Sequence, residues 1–150
     1  MELRFIPVTA ADRGTALSLH VAPDQTGTVE TAAECLAEAD GLPLWRPVIV
    51  EADGRPVGFA MYGLWRDEGT AGRVWLDRFF IDEHCQGRGC AKAALPPLIA
   101  AIRAEYGRDE LFLSVYADNA PAIALYEGLG FRFNGETDVH GERVMVLRLP

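Results

Sequence analysis

A chain of 150 residues has the length of one domain, 1–150, and at 49% apolar it carries enough material for a packed core, which excludes a disordered chain. Its formal charge of −8 argues against nucleic acid as a partner and suits a cationic one, although acidity for solubility explains it equally well. No apolar run reaches the length of a membrane span and Met1-Glu-Leu-Arg-Phe does not read as a signal peptide. Cys35, Cys85 and Cys90 are odd in number and lack metal-ligand spacing, so a reduced, cytoplasmic setting is expected.

Leu3-Arg-Phe-Ile-Pro-Val8 alternates weakly and predicts an edge strand, where Pro7 is tolerated. Thr9 with Asp12 three residues on predicts an N-cap and a helix from about Ala10 to His20. A loop over Pro23 to Gly27 leads to a second helix from Thr28 to Ala39, with Gly41 and Pro43 as stop signals. That helix would carry Glu30, Glu34 and Glu38 on one face, either a solvated stripe or an entrance for a polycation, which Asp24 would join. Val48 to Ala52 and Pro56 to Leu64 predict two strands joined by an Asp53-Gly54 hairpin turn. Trp45, Tyr62, Trp65 and Trp75 suit packing better than a ligand box.

Val74 to Ile81 is a β-favouring run interrupted by Asp77 and Arg78. It delivers the chain into Gln86-Gly-Arg-Gly-Cys-Ala91 and then a helix running to about Tyr106. Free N–H groups and the positive dipole end at such a helix start bind phosphate, and Arg88 and Lys92 add charge. A plain turn is the competing reading. The pattern is not a Walker A loop, and the third glycine of the Rossmann motif is missing. Pro96-Pro97 inside the helix predicts a bend near Lys92-Ala93 that would disturb phosphate geometry if it reached the first turn. A strand over Glu110 to Tyr116, a short helix capped at Asp118-Asn119 and running through Leu129, and strands from Phe131 to Glu136 and Arg143 to Leu149 complete the chain. This order predicts an α/β fold, a mixed central sheet of about seven strands flanked by four helices.

Two blocks carry a resemblance. Gln86-x-x-Gly89-x-Ala91 after an apolar strand, and Asn119-Ala-Pro-Ala-Ile-Ala-Leu-Tyr126-Glu-Gly-Leu-Gly130-Phe131, are similar to the paired signatures of the GNAT N-acetyltransferases. Gly58-Phe-Ala-Met-Tyr62 and Trp75-x-Asp77-x-Phe79-x-Ile81-Asp82 most resemble the bacterial spermidine/spermine (diamine) acetyltransferases. The resemblance runs from about Pro47 to the C-terminus and is looser before it.

The resemblance implies direct acetyl transfer from acetyl-CoA to a primary amine, a polyamine first, with no metal. It places the carrier's pyrophosphate on Gln86, Gly87, Arg88, Gly89, Cys90, Ala91 and Lys92, and its pantetheine on the backbones of Phe79, Phe80 and Ile81. An alkylamine has a pKa of about 10.4, so a base or proton wire is needed near neutrality. Asp77 is the candidate, on the face of Phe79 and Ile81 by the two-residue period, with an ion pair to Arg78 as the alternative and Asp82, Glu83 and His84 behind it. Tyr126 matches the family's acid for the departing thiolate, and Asn119 its pantetheine contact. Glu30, Glu34 and Asp77 are the candidate acceptor contacts. Cys90 lacks a neighbouring His in sequence and reads as filler, and His20, His84 and His140 are too scattered in sequence for a metal site. A homodimer fits the family, though no segment specifies an interface. An amino-acid, aminoglycoside-like or protein-lysine acceptor, a non-catalytic acyl-CoA-binding module, and a nucleotide-binding domain are the alternatives.

Overall fold

The computed structural model describes residues 1–22, 31–69 and 71–149. Among these, seven strands and four helices follow the expected order: β1 Leu3–Pro7, α1 Arg13–Ser18, α2 Ala32–Gly41, β2 Trp45–Ala52, β3 Arg55–Trp65, β4 Arg73–Ile81, α3 Cys90–Tyr106, β5 Glu110–Val115, α4 Ala120–Gly128, β6 Arg132–Thr137 and β7 Arg143–Arg148. They form one sheet in the order β1-β2-β3-β4-β5-β7-β6. Every neighbouring pair is antiparallel except β4 and β5, which are parallel and register at Trp75 and Phe112. The β2–β3 hairpin turns on Asp53 and Gly54, both at positive φ, the backbone a two-residue hairpin loop requires.

The sheet is covered on both faces, which is why β3 is buried without interruption from Val57 to Leu64. On one face α3 lays Ala94, Leu95, Leu98, Ile99 and Ile102 against Val48, Val50, Tyr62 and Val74. On the other, Ala16 of α1 and Cys35 and Leu36 of α2 pack on Ile49, Phe59, Met61 and Phe80. Each Val, Leu, Ile, Phe or Met side chain among them contributes about 1.5–3 kcal/mol through burial. The alternation of Val48, Ile49 and Val50 between the two clusters is the two-residue strand period seen from both sides. Trp45 stacks edge-on against Trp65 and Tyr62 against Tyr106, so these aromatics pack as expected.

Several boundaries differ from expectation for local reasons. The first helix is a 3-10 turn over Ala10–Asp12 followed by α1, and it ends at Ser18 because Leu19 is already extended. Thr9 and Asp12 do form the expected cap, with the Thr9 N–H and hydroxyl both donating to the Asp12 carboxylate. The second helix begins at Ala32, where Thr31 and Glu34 form a capping box, and Gly41 is its last residue. Glu30 therefore precedes the helix and lies outside the described residues, as does Asp24. The helix over Cys90–Tyr106 runs through Pro96 and Pro97, both exposed, and its first turn keeps the Ala93 N–H to Gly89 carbonyl bond at 3.0 Å. The first turn is thus outside the reach of any bend from the prolines, and the condition for disturbing it is not met. Both proline rings point away from the sheet, so the burial on α3's opposite side holds the helix across the missing donors.

Candidate functional site

The site grows from two local irregularities. β3 and β4 register Ala60 with Phe79 and Met61 with Arg78, but Tyr62 with Leu76, so Asp77 is an extra residue in a β-bulge. The two-residue period breaks there. Trp75 packs with the α1/α2 cluster, whereas Phe79 packs with the α3 cluster. Counting in twos from Phe79 back to Trp75 therefore fails, because the bulge re-aims the chain, while Asp77 and Phe79 still line one cleft. The second irregularity is the parallel pair. Past Trp75 and Phe112, a cleft of about 80 Å³ lies between Leu76–Phe79 of β4 and Leu113–Tyr116.

Asp77, Arg78, Phe79, Asn119, Tyr126 and Glu142 all face this cleft. Tyr126 is buried, lies edge-on to Phe131 at 5.6 Å, and burial alone pushes its phenol up to about 12, so it stays protonated through neutral pH. Asn119 caps α4 by accepting the Ala122 N–H, a plain cap that leaves its amide group beside the cleft. The Arg78 guanidinium donates to the Asp77 carbonyl at 2.6 Å. Glu142 is buried, and burial first, then Asp138, raise its carboxyl above the ordinary range, against the opposing Arg78, His140 and Ser114. Sequence reasoning missed Glu142. It follows a turn in a polar stretch, and only the placement of β7 beside β5 brings it near Ser114, 3.5 Å away.

Beyond Ile81 the chain makes a 3-10 turn over Glu83–Cys85 and then the glycine loop. Gly87 and Gly89 have φ of 78° and 76°, conformations that favour glycine, and a Cβ on either would meet no protein atom within 4 Å. The glycines therefore set the turn and leave the space above it open. The Gln86 side chain donates to the Ile81 carbonyl at 3.0 Å, tying the loop to the end of β4. A second cleft of about 600 Å³ runs between this loop and α4. Ile81, Gln86, Gly87, Gly89, Cys90, Ala91 and Lys92 line it from one side, and Pro121, Ala124 and Leu125 from the other. The first-turn N–H groups of α3 and the Lys92 ammonium make it suitable for a phosphate. Arg88 is exposed and does not line it. Phe79 lies in the smaller cleft, and the Phe80 ring turns to the opposite face of the sheet, stacked on Phe59 at 5.7 Å.

Three other candidates are placed differently from expectation. Glu34 is exposed but its carboxylate accepts from the Thr31 N–H and hydroxyl, so it is committed to capping α2; those bonds, and Arg78 more weakly, lower its pKa. Asp82 is an anchor: its carboxylate accepts the His20 N–H at 2.9 Å and the His84 N–H at 3.1 Å. Burial works to raise Asp82, but these bonds outweigh it and hold the carboxyl low. The histidines are not all scattered, since the rings of His20 and His84 meet edge to face at 5.8 Å across Asp82.

A mixed sheet with one parallel pair, a cleft lined by a buried phenol and two carboxylates, and a glycine turn at a helix start make up an acetyltransferase-like fold. The chain belongs to the acetyltransferase (GNAT) family, whose model matches residues 15–131, and by class it is an N-acetyltransferase. It is 42% identical to the spermine/spermidine N(1)-acetyltransferase of Bacillus subtilis (strain 168), over 99% of this chain and 100% of that protein. The probable spermine N(1)-acetyltransferase of Bacillus subtilis subsp. natto (strain BEST195) matches to the same extent. In fold it is similar to aminoglycoside acetyltransferase AAC(6')-Ib solved with coenzyme A, with a TM-score of 0.81 at 18% identity over 98% of this chain and 95% of that one. An acetyltransferase from Thermus thermophilus gives a TM-score of 0.76 at 24% identity, over 99% and 98%.

Proposed function

We propose that this protein, as a single domain over 1–150 in the cytoplasm, transfers the acetyl group of acetyl-CoA to a primary amine of a polyamine such as spermidine or spermine. The observation that carries this reading is the convergence of Tyr126, Asp77 and Glu142 on the gap between β4 and β5, next to the glycine loop. The full-length likeness to the Bacillus spermine/spermidine enzyme supports the choice of acceptor.

The chain's residues divide the work. The N–H groups from Gly87 to Lys92 hold the pyrophosphate, helped by the Lys92 ammonium and by Arg88 at longer range. The pantetheine arm pairs with the main chain of Phe79 to Ile81, whose sheet partners all lie on β3, and Asn119 holds it from α4. Asp77 takes the proton from the attacking ammonium, and Glu142 adds negative charge that retains the cation. The amine nitrogen bonds the acetyl carbon, the carbon–sulfur bond breaks, the Tyr126 hydroxyl donates its proton to the leaving thiolate, and the second proton of the nitrogen, shed as the amide forms, returns to the Tyr126 oxygen. Glu34 and Glu38 contribute only a general negative field from α2, and Glu30, outside the described residues, is assigned to the same entrance.

The test is release of free thiol from acetyl-CoA with spermine, spermidine, putrescine, aminoglycosides, free amino acids and a lysine peptide offered separately. Turnover with spermine and spermidine is the expected result. Turnover confined to another amine keeps the transferase chemistry and discards the acceptor. Silence across the panel, with coenzyme A still raising the melting temperature, replaces the proposal with a binding module.

A further inference from the structure

We propose that His20, Asp82 and His84 form a binding site for a divalent transition-metal ion of the zinc type, stapling the end of α1 to the turn that carries the glycine loop. One ligand atom from each of the three lies within 4.8 Å of the other two. Asp82 oxygens sit 3.1 Å from His84 Nδ1 and 3.7 Å from His20 Nδ1. Ligands about 2.0–2.1 Å from a tetrahedral zinc lie roughly 3.3–3.5 Å apart, within a few tenths of an ångström of each pair, His84 with Oδ2 and His20 with Oδ1. The Asp82 carboxylate is buried and fixed by two backbone N–H groups, so it is the rigid member. Both imidazoles are more than half exposed and reach it by small side-chain rotations.

The surroundings point the same way. His20 Nε2 lies 2.8 Å from a Glu83 carboxylate oxygen. A carboxylate that accepts the far N–H of an imidazole leaves the other nitrogen with its lone pair, the usual support of a metal-bound histidine. On the near side, His20 Nδ1 faces the Ser18 carbonyl at 3.1 Å, so both ring nitrogens meet oxygen acceptors. A protonated imidazole donates to both, so a metal ion at Nδ1 takes the place of that proton and draws the nitrogen from Ser18 toward Asp82. Two imidazoles with a carboxylate select zinc-like ions over magnesium or calcium, which prefer all-oxygen sites. The Glu83 N–H to His20 carbonyl bond of 2.8 Å already joins the same segments, so the ion reinforces an existing junction.

The experiment is titration of the untagged, reduced chain with Zn²⁺ against a chromogenic chelator, with parallel melts in Zn²⁺, Mg²⁺ and Ca²⁺. About one Zn²⁺ bound per chain and a melting temperature raised by Zn²⁺ alone are expected. His84→Ala and His20→Ala should each weaken binding at least ~100-fold, and Glu83→Gln about 10–100-fold. Cys85→Ser, which removes a partly buried thiol next in sequence to His84, should bind as the parent does. The His84 side chain is 74% exposed, so its loss leaves the fold intact, which a metal-free melt verifies. No stoichiometric uptake, undiminished uptake in His84→Ala, or uptake lost in Cys85→Ser overturns the proposal.

Discussion

Tyr126 and Glu142 are both buried beside the same gap, and burial raises both pKa values with different consequences. For Tyr126, about 12 means that the phenol remains a proton donor throughout the working range, so its ionisation sets no alkaline limit below about pH 10. Tyr126→Phe should lower kcat about 10²–10⁴-fold with little change in KM for either substrate, measured by thiol release. For Glu142 the folded protein holds its proton more tightly than the unfolded chain does. That contribution favours folding at low pH and is lost as pH rises above the ordinary carboxylate value of about 4.3. Glu142→Gln should therefore melt higher than the parent at pH 7, with the gain vanishing toward pH 4. If the acceptor's cation sits beside this carboxylate, the same variant raises KM for the amine while leaving KM for acetyl-CoA alone. A melt series across pH and two Michaelis curves check both halves.

Among the elements, α3 has two tasks, since its first turn faces the larger cleft and its apolar side covers one face of the sheet. Pro96 and Pro97 weaken it by removing two backbone donors in a region where both side chains are exposed. Replacing them together by alanine should stabilise the fold by roughly 1–3 kcal/mol. Interior proline costs about 3 kcal/mol in a helix, but its stiffness in the unfolded chain returns part of that. Denaturant unfolding measures it, and KM for acetyl-CoA should not move, because the first turn is already intact. Gly89 is the opposite case. At φ 76° a side chain is strained, so Gly89→Ala should cost about 1 kcal/mol and raise KM for acetyl-CoA by distorting the loop.

Across the whole molecule, the charge of −8 is a long-range attraction for a polycation. With α2's carboxylates contributing field more than contact, KM for spermine should rise as salt increases from about 20 mM to about 0.5 M, where screening falls to a few ångströms. KM for a monoamine should change less, and a steady-state series in salt distinguishes the two. The sheet's parting at β4 and β5 is also a property of the whole. One parallel pair leaves neighbouring strands free to diverge, and α3 and α4, packed on the same face, bracket the opening.

The sequence by itself determined the element order, because hydrophobic periods, caps and turn glycines act over a few residues, and here Thr9, Asp53-Gly54, Asn119 and Gly130 kept their local roles. It also marked the glycine loop and Tyr126, since both sit in contiguous motifs. Tertiary structure decided what depends on register and on contacts between distant segments. The bulge at Asp77 exists only in the pairing of β3 with β4, so a count in twos could not foresee it. Glu142 enters the gap only because β7 inserts between β5 and β6. His20 meets His84 only because the chain after α1 returns to the end of β4, where Asp82 holds both through its buried carboxylate. Burial and proximity of this kind arise from packing the whole chain, and no local run of residues encodes them.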